Sequence, residues 1–235
     1  MCDKVFSGPS QAELDKRAAA EAAVREVQPG MLVGLGTGST AAAAIRLIGE
    51  SGVAIEAVAT SEASAALARS VGIRVRDFAE VSRVDLTIDG ADAIDPQFRA
   101  MKGAGGAMLR EKVVAAASDR MVVIADASKR VDTIAVAKLP IEVLPFARSY
   151  VEAAVRPMFA EVAVRGGQGG AYRTDNGNIV IDCHAPMLAD WDRLAAWLGS
   201  VPGVAGHGLF LGEVDAAYIA DAGVVTRLER RLVTG

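Results

Sequence analysis

The chain has 235 residues, a net charge of -4 and a pI near 5.3, with 51% hydrophobic and 5% aromatic residues. That length builds a sizeable core, as one large domain or one domain with a small companion. The apolar residues are mostly Ala and Val interrupted by charge and glycine, which excludes a bilayer-spanning run, and an acidic chain with no basic stretch offers nucleic acid little to hold.

At the N-terminus, Asp3 and Lys4 precede no apolar leader segment, so a cytoplasmic location is expected. Cys2 and Cys183 stand far apart with no partner at metal or redox spacing and read as free thiols. Ser10 and Glu13 have capping-box spacing and open an Ala-rich helix expected to run through Val27, where Pro29 and Gly30 stop it. A strand is predicted at residues 31–35, leading through a glycine loop into a helix at 41–50. A strand at 55–59, a cap at Thr60 and Ser61, and a helix at 62–70 closed by Gly72 follow. Further strands at 73–75, 84–88 and 121–125 continue the alternation, which predicts an α/β, mostly parallel sheet.

Beyond Lys129 the pattern changes, with Pro140, Pro145 and Pro157 punctuating the chain. Asp175-Asn176-Gly177 reads as a hairpin-type turn before an alternating strand at 178–183, with a helix near 190–198, which together predict a small α+β unit. Strands at 208–211, 214–219 and 224–228 are expected to return to the first sheet. The expected division is residues 1–137 with 208–235 as the larger domain and 138–207 as the smaller.

Two stretches carry the chemistry. The loop at 34–40 is not a dinucleotide fingerprint, because Ser39 stands where the third glycine belongs and the second strand ends in Thr60 rather than an acidic residue. Thr37, Ser39 and Thr40 instead put three hydroxyls beside N–H groups at a helix N-terminus, which suits a phosphate monoester. In the second stretch, DGADAIDPQFRAMKGAGGAMLREK at 89–112, Asp89 and Asp92 follow an apolar strand, and Lys102 leads into Gly103, Gly105 and Gly106, a loop able to turn several N–H groups to one point. Glu111 is expected about two turns into the next helix. Two carboxylates, an ammonium, an oxyanion nest and a further carboxylate suggest proton transfer next to a carbonyl. Taken singly, each group has an ordinary reading. The first loop reads as a capped turn, Lys102 and Glu111 as solvated charges, and Asp89, Asp92 and Asp95 as turn formers or a divalent-metal cluster lacking EF-hand spacing. His184 and His207 are assigned no role.

GLGTGSTA at 34–41, DGAD at 89–92, KGAGGAMLREK at 102–112, DASK at 126–129, PIEVLPFA at 140–147 and TDNGN at 174–178 occur together in one order. On these motifs the chain resembles the ribose-5-phosphate isomerase A family over almost its entire length. The resemblance implies interconversion of D-ribose 5-phosphate and D-ribulose 5-phosphate in the pentose phosphate network. It also implies no metal or organic cofactor, a Rossmann-like domain with a smaller ferredoxin-like α+β domain, and a homodimer or homotetramer. Isomerisation is therefore expected to proceed in EDTA with no nucleotide added.

Carried over, Glu111 looks like the family's proton acceptor, with Asp89, Asp92 and Lys102 around the sugar C1 and C2 oxygens. The phosphate falls to Thr37, Gly38, Ser39, Thr40 and Lys129, with Lys16 a weaker addition; Gly90, Ala91, Gly103, Ala104 and Gly105 complete the expected contacts. Ala93 departs from the glutamate that commonly follows DGAD. Burial beside Asp89 or Asp92 is expected to raise the Glu111 carboxyl, with Lys102 aimed at substrate rather than paired to Glu111. Two other classes share the architecture, a sugar-phosphate-sensing regulator and an acyl-transferase or deaminase-type enzyme. The former calls for a DNA-binding module that the sequence does not display.

Overall fold

The computed structural model describes residues 8–186 and 190–230. Cys2 and the Asp3 and Lys4 stretch lie outside them. Seven strands form the larger sheet in the order Arg74–Val75, Glu56–Ala59, Leu32–Leu35, Leu86–Gly90, Met121–Asp126, Ala216–Asp221 and Val224–Glu229. All neighbours are parallel except the last two, a hairpin turned at Ala222 and Gly223, whose φ values are 47° and 84°. Numbered along the chain, the parallel strands run 3-2-1-4-5-6, the doubly wound Rossmann order, which reverses between Leu32–Leu35 and Leu86–Gly90. At that reversal the loops leaving the two strands diverge and open a crevice at the carboxyl edge, and the glycine loop and Asp89 both stand there.

Small residues let helices lie close on this sheet. Ala19, Ala20 and Ala23 of the helix Gln11–Val24 are fully buried against Leu86, Ile88, Val122 and Ile124. The capping box forms as expected, with the Ser10 N–H donating to Glu13 Oε2 at 2.8 Å, but the helix ends at Val24, three residues short of Val27. The next helix, Ser39–Ser51, begins two residues earlier than residue 41, so Ser39 and Thr40 occupy its first turn, and Gly38 precedes it at φ 101°.

A second sheet has the order Val204–His207, Leu139–Val143, Ile179–Pro186, Phe159–Val164, all antiparallel. With the helices Arg148–Val155 and Trp191–Ser200 its chain order is β-α-β-β-α-β, the ferredoxin-like arrangement. Val151, Val155, Trp191, Leu194 and Leu198 pack on Leu139, Ile141 and Ile181 to form its core, which also holds the free Cys183. Burial pushes the Cys183 thiol up to about 12, so it is inert at neutral pH.

Two sequence expectations change. Val204–His207 is a strand that the sequence did not announce. The segment expected at 208–211 does not return to the larger sheet. Instead Leu209–Phe210 pairs with Ala100–Met101, which pairs with Ala93–Ile94, in a three-stranded connector between the two units. Gly208 makes this possible, because a Cβ there would sit 2.2 Å from the Lys102 carbonyl oxygen. Among the described residues no helix is long and apolar enough to cross a membrane.

Candidate active site

Asp89 is the next-to-last residue of the central strand Leu86–Gly90 and is completely buried (0% exposed), with Lys102 (2%) and Glu111 (4%) closed in beside it. Its Oδ1 accepts hydrogen bonds from the N–H groups of Thr37 at 3.1 Å and Gly90 at 2.7 Å. The strand before the first loop must pass very close to allow this; a Cβ on Gly36 would stand 2.0 Å from that oxygen. Lys102 Nζ lies 2.8 Å from Asp89 Oδ2 and 3.3 Å from Glu111 Oε2, and donates to the Gly90 carbonyl at 2.5 Å. The expectation that Lys102 stands clear of Glu111 therefore fails. One ammonium bridges two buried carboxylates.

Glu111 belongs to the first turn of the helix Met108–Ala116, not two turns in. The glycine loop continues to Ala107, so the helix starts late and the carboxylate lies at its N-terminal end, over the cavity. Burial, then the negative charge of Asp89, push the Glu111 carboxyl up to about 8 against the opposing pull of Lys102. Burial also raises Asp89, against the pull of Lys102 and its two N–H donors. Burial works against the Lys102 ammonium, but Asp89 and Glu111 outweigh it and the group stays charged. Asp89 accepts two N–H hydrogen bonds that favour its ionised form, whereas Glu111 has Lys102 alone to favour its own.

A cavity of about 200 Å³ opens beside this cluster, lined by Lys16, residues 37–40, 90–92 and 102–105, Glu111 and Lys129. It gathers Lys16, Thr37, Gly38, Ser39, Thr40, Asp92, Lys102, Gly103, Gly105, Glu111 and Lys129, whereas Asp89 lies beneath the lining rather than in it. Asp89 thus touches Lys102 from beneath the cavity. Asp92 does reach the cavity, and its Oδ2 accepts from the Ala104 N–H at 2.8 Å, so one donor of the expected nest is already engaged.

Also in the lining, Lys16 Nζ donates to Ser39 Oγ at 3.2 Å. Thr37 does not offer its hydroxyl proton as expected. That hydroxyl pairs with Thr60 at 2.8 Å, and Thr60 in turn donates to the Leu35 carbonyl, so Thr37 contributes its proton to the chain and Ser39 and Thr40 remain as the side-chain donors. Lys129 ends a short turn whose Asp126 caps the Ser128 N–H at 3.0 Å.

Asp95 is a turn former, accepting from the Gln97 and Arg99 N–H groups and paired with the Arg99 guanidinium at 2.7 Å, apart from Asp89 and Asp92. Ala93, the position expected to depart from the motif it resembles, is buried in the core of the smaller sheet and does not line the cavity. His207 lies behind the helix of Glu111, its Nδ1 3.5 Å from Lys112, and burial pushes its imidazole down to about 4.

Residues that the sequence did not mark hold the site from outside. Arg110 donates to Asn176 Oδ1 at 2.9 Å and pairs with Glu62 at 2.9 Å, and the Glu62 N–H donates to Asp175 Oδ2 at 2.8 Å. The 175–177 turn, legible only as a turn, is thus a clasp between the smaller sheet and two helices of the larger.

The family model for ribose 5-phosphate isomerase A (phosphoriboisomerase A) matches residues 56–223. The ribose-5-phosphate isomerase A of Sphingopyxis alaskensis is 47% identical over 214 residues, covering 90% of this chain and 94% of the relative. That of Rhodopseudomonas palustris strain HaA2 is 45% identical over 225 residues, covering 92% and 97%. Among solved structures, a D-ribose-5-phosphate isomerase in complex with phospho-erythronic acid superposes with a TM-score of 0.89 at 32% identity, covering 93% of this chain and 99% of that one. The ribose 5 phosphate isomerase A of Neisseria gonorrhoeae gives 0.89 at 35% identity, covering 95% and 99%. With the doubly wound sheet, the buried carboxylate–ammonium cluster and these relatives in agreement, the chain belongs to the ribose 5-phosphate isomerase A family.

Proposed function

We propose that Glu111 is the base that moves a proton between C1 and C2 as this enzyme interconverts ribose 5-phosphate and ribulose 5-phosphate, the family's step in the pentose phosphate pathway. The observation that carries this reading is the Glu111 carboxyl, buried, bordering the cavity and held near neutrality at about 8. A carboxylate of ordinary acidity is a weak base toward carbon, and one raised to the working pH is far better matched.

Starting from the aldose, ionised Glu111 removes the C2 proton, and the C2–H electron pair shifts to make the C1=C2 bond while the carbonyl electrons pass to O1. Lys102, kept cationic by Asp89, meets the charge that builds on the enediolate oxygens. Asp92 at the rim passes the hydroxyl proton from O2 to O1. Glu111 then returns its proton to C1, giving the ketose. One base serving adjacent carbons from one side suffices. Ser39, Thr40, Lys129 and Lys16, with the N–H groups at the start of the helix Ser39–Ser51, hold the phosphate and fix the carbon chain against Glu111.

The larger unit comprises residues 1–137 and 208–235 and the smaller 138–207, a division supported by the ferredoxin-like sheet and both its helices falling within the second range. The enzyme acts in the cytoplasm, where phosphorylated sugars are retained by their charge. It assembles as a homodimer or homotetramer, a reading supported by Leu144, Phe146 and Tyr150, which leave apolar surface exposed along one turn and helix of the smaller unit. Incubating the protein with ribose 5-phosphate and following ketose formation tests the activity, and light scattering tests the assembly. No ketose from a folded sample would overturn the first, and a monomeric mass the second.

A further inference from the structure

The glycine loop beside the cavity is held from the smaller sheet. Arg165 sends Nη1 to the carbonyl oxygens of Gly103 at 3.1 Å and Ala104 at 3.0 Å. Its other nitrogens form a fork on Asp182, Nε to Oδ2 at 2.9 Å and Nη2 to Oδ1 at 2.5 Å. Tyr172 donates its hydroxyl to the next carbonyl, Gly105, at 3.0 Å, and its ring lies 5.6 Å from the Arg165 guanidinium. Three consecutive carbonyls are thus gripped by side chains from the second unit. The loop is shaped to receive them: Gly106 has φ 81°, and a Cβ there would stand 2.3 Å from the Tyr172 hydroxyl.

In a planar trans peptide the C=O and N–H point in opposite directions. Fixing the Gly103 carbonyl on Arg165 therefore fixes the Ala104 N–H on the opposite side, and that N–H is the one that donates to Asp92 Oδ2 at 2.8 Å. We propose that Arg165 is a positioning residue for Asp92: locked by Asp182 and braced by Tyr172, it orients the Gly103–Ala104 peptide whose N–H holds the Asp92 carboxylate at the cavity. This rests on the reading of Asp92 as the group that passes the proton between the sugar oxygens. The smaller unit then serves the chemistry through a relay of Asp182, Arg165, one peptide and Asp92.

The test is a kinetic double-mutant cycle on the full-length enzyme with Arg165→Met, Asp92→Asn and the double variant. Arg165→Met is expected to lower kcat by roughly 10- to 100-fold, the scale that follows from a small misplacement of a reacting group. The KM for ribose 5-phosphate and competitive inhibition by inorganic phosphate should change less than about twofold, since the phosphate grip lies on other residues. The double variant should be no slower than Asp92→Asn alone, because a residue acting through Asp92 has nothing left to position. A loss of packing unrelated to Asp92 would multiply instead. Arg165→Lys keeps the charge without the planar fork and should not recover the wild-type rate. Should Arg165→Met fail to fold, Asp182→Asn loosens the same fork at constant shape and is expected to show a smaller loss with the same non-additivity.

A folded Arg165→Met or Asp182→Asn enzyme at wild-type kcat beside a slow Asp92→Asn overturns this proposal alone, as do multiplicative losses or full recovery in Arg165→Lys. An Asp92→Asn enzyme at wild-type kcat overturns the reading of Asp92, and the proposal with it.

Discussion

The Lys102 ammonium sits 3.3 Å from Glu111 Oε2, yet the Glu111 carboxyl is pushed up to about 8 rather than down. A neighbouring cation ordinarily favours the carboxylate form. Here that pull is divided, since Asp89 lies closer to the same ammonium at 2.8 Å and takes two N–H hydrogen bonds besides. Burial and repulsion from Asp89 then decide the protonation of Glu111. The raised carboxyl and the cation are thereby kept in one buried cluster.

The pH profile should report this directly. As the proposed base, Glu111 would act only when ionised, so kcat/KM is expected to fall as pH drops through about 8, with a slope of one proton. A plot of kcat/KM against pH from about 5 to about 10 checks it, and an acid limb near the ordinary glutamate value would remove the raised carboxyl from the account.

Stability should carry the opposite sign. Between the ordinary glutamate value and about 8 the folded protein holds a proton that the unfolded chain has released, so the contribution of Glu111 to stability falls as pH rises through that window. Glu111→Gln has no such proton to lose. Its Tm relative to the parent should climb as pH goes from about 5 to about 9, measured by calorimetry. A difference independent of pH would mean that Glu111 titrates alike in the folded and unfolded states.

Phosphate binding should separate from chemistry. Ser39→Ala and Lys129→Met remove donors from the cavity lining proposed to hold the phosphate, so each is expected to raise KM more than it lowers kcat. Steady-state kinetics with ribose 5-phosphate decide the point; unchanged KM in both variants would remove the phosphate from this loop.

The clasp between the two units should be worth measurable stability. Buried Glu142 Oε1 accepts from Thr174 Oγ1 at 2.8 Å and from the side-chain amides of Asn176 and Asn178 at 2.9 Å each, holding the turn that meets Arg110 and Glu62. Glu142→Ala leaves these donors unpaired and should cost about 3 kcal/mol in denaturant unfolding. A loss below about 0.5 kcal/mol would mean that water replaces the carboxylate freely.

Much of this was legible in the sequence because it depends on local signals. Ser10 and Glu13 announced a capping box, the alternation of strands and helices announced the parallel sheet, and Ser39 and Thr60 ruled out a dinucleotide fingerprint. The position of Glu111 within its helix was not legible: Ala107 precedes the helix with no capping side chain, so nothing in the sequence marks Met108 as its start. Val204–His207 escaped because Gly206 interrupts it, and its pairing shifts register between Val204 and Gly206. The pairing of Lys102 with Glu111, and the grip of Arg165 on a loop 61 residues away, are set by how the two sheets pack. No spacing rule reaches that far.

The measurement that bears most directly on Glu111 as the base is exchange of the C2 proton of bound ribose 5-phosphate with deuterated water, compared between the parent enzyme and Glu111→Gln. The amide keeps the shape of the side chain and its place beside Lys102 while removing the basic oxygen. Exchange and kcat should both fall by at least roughly 100-fold, the lower range for loss of a general base, with little change in substrate affinity. Exchange that continues at the parent rate in Glu111→Gln would contradict the account and move the proton transfer to another group.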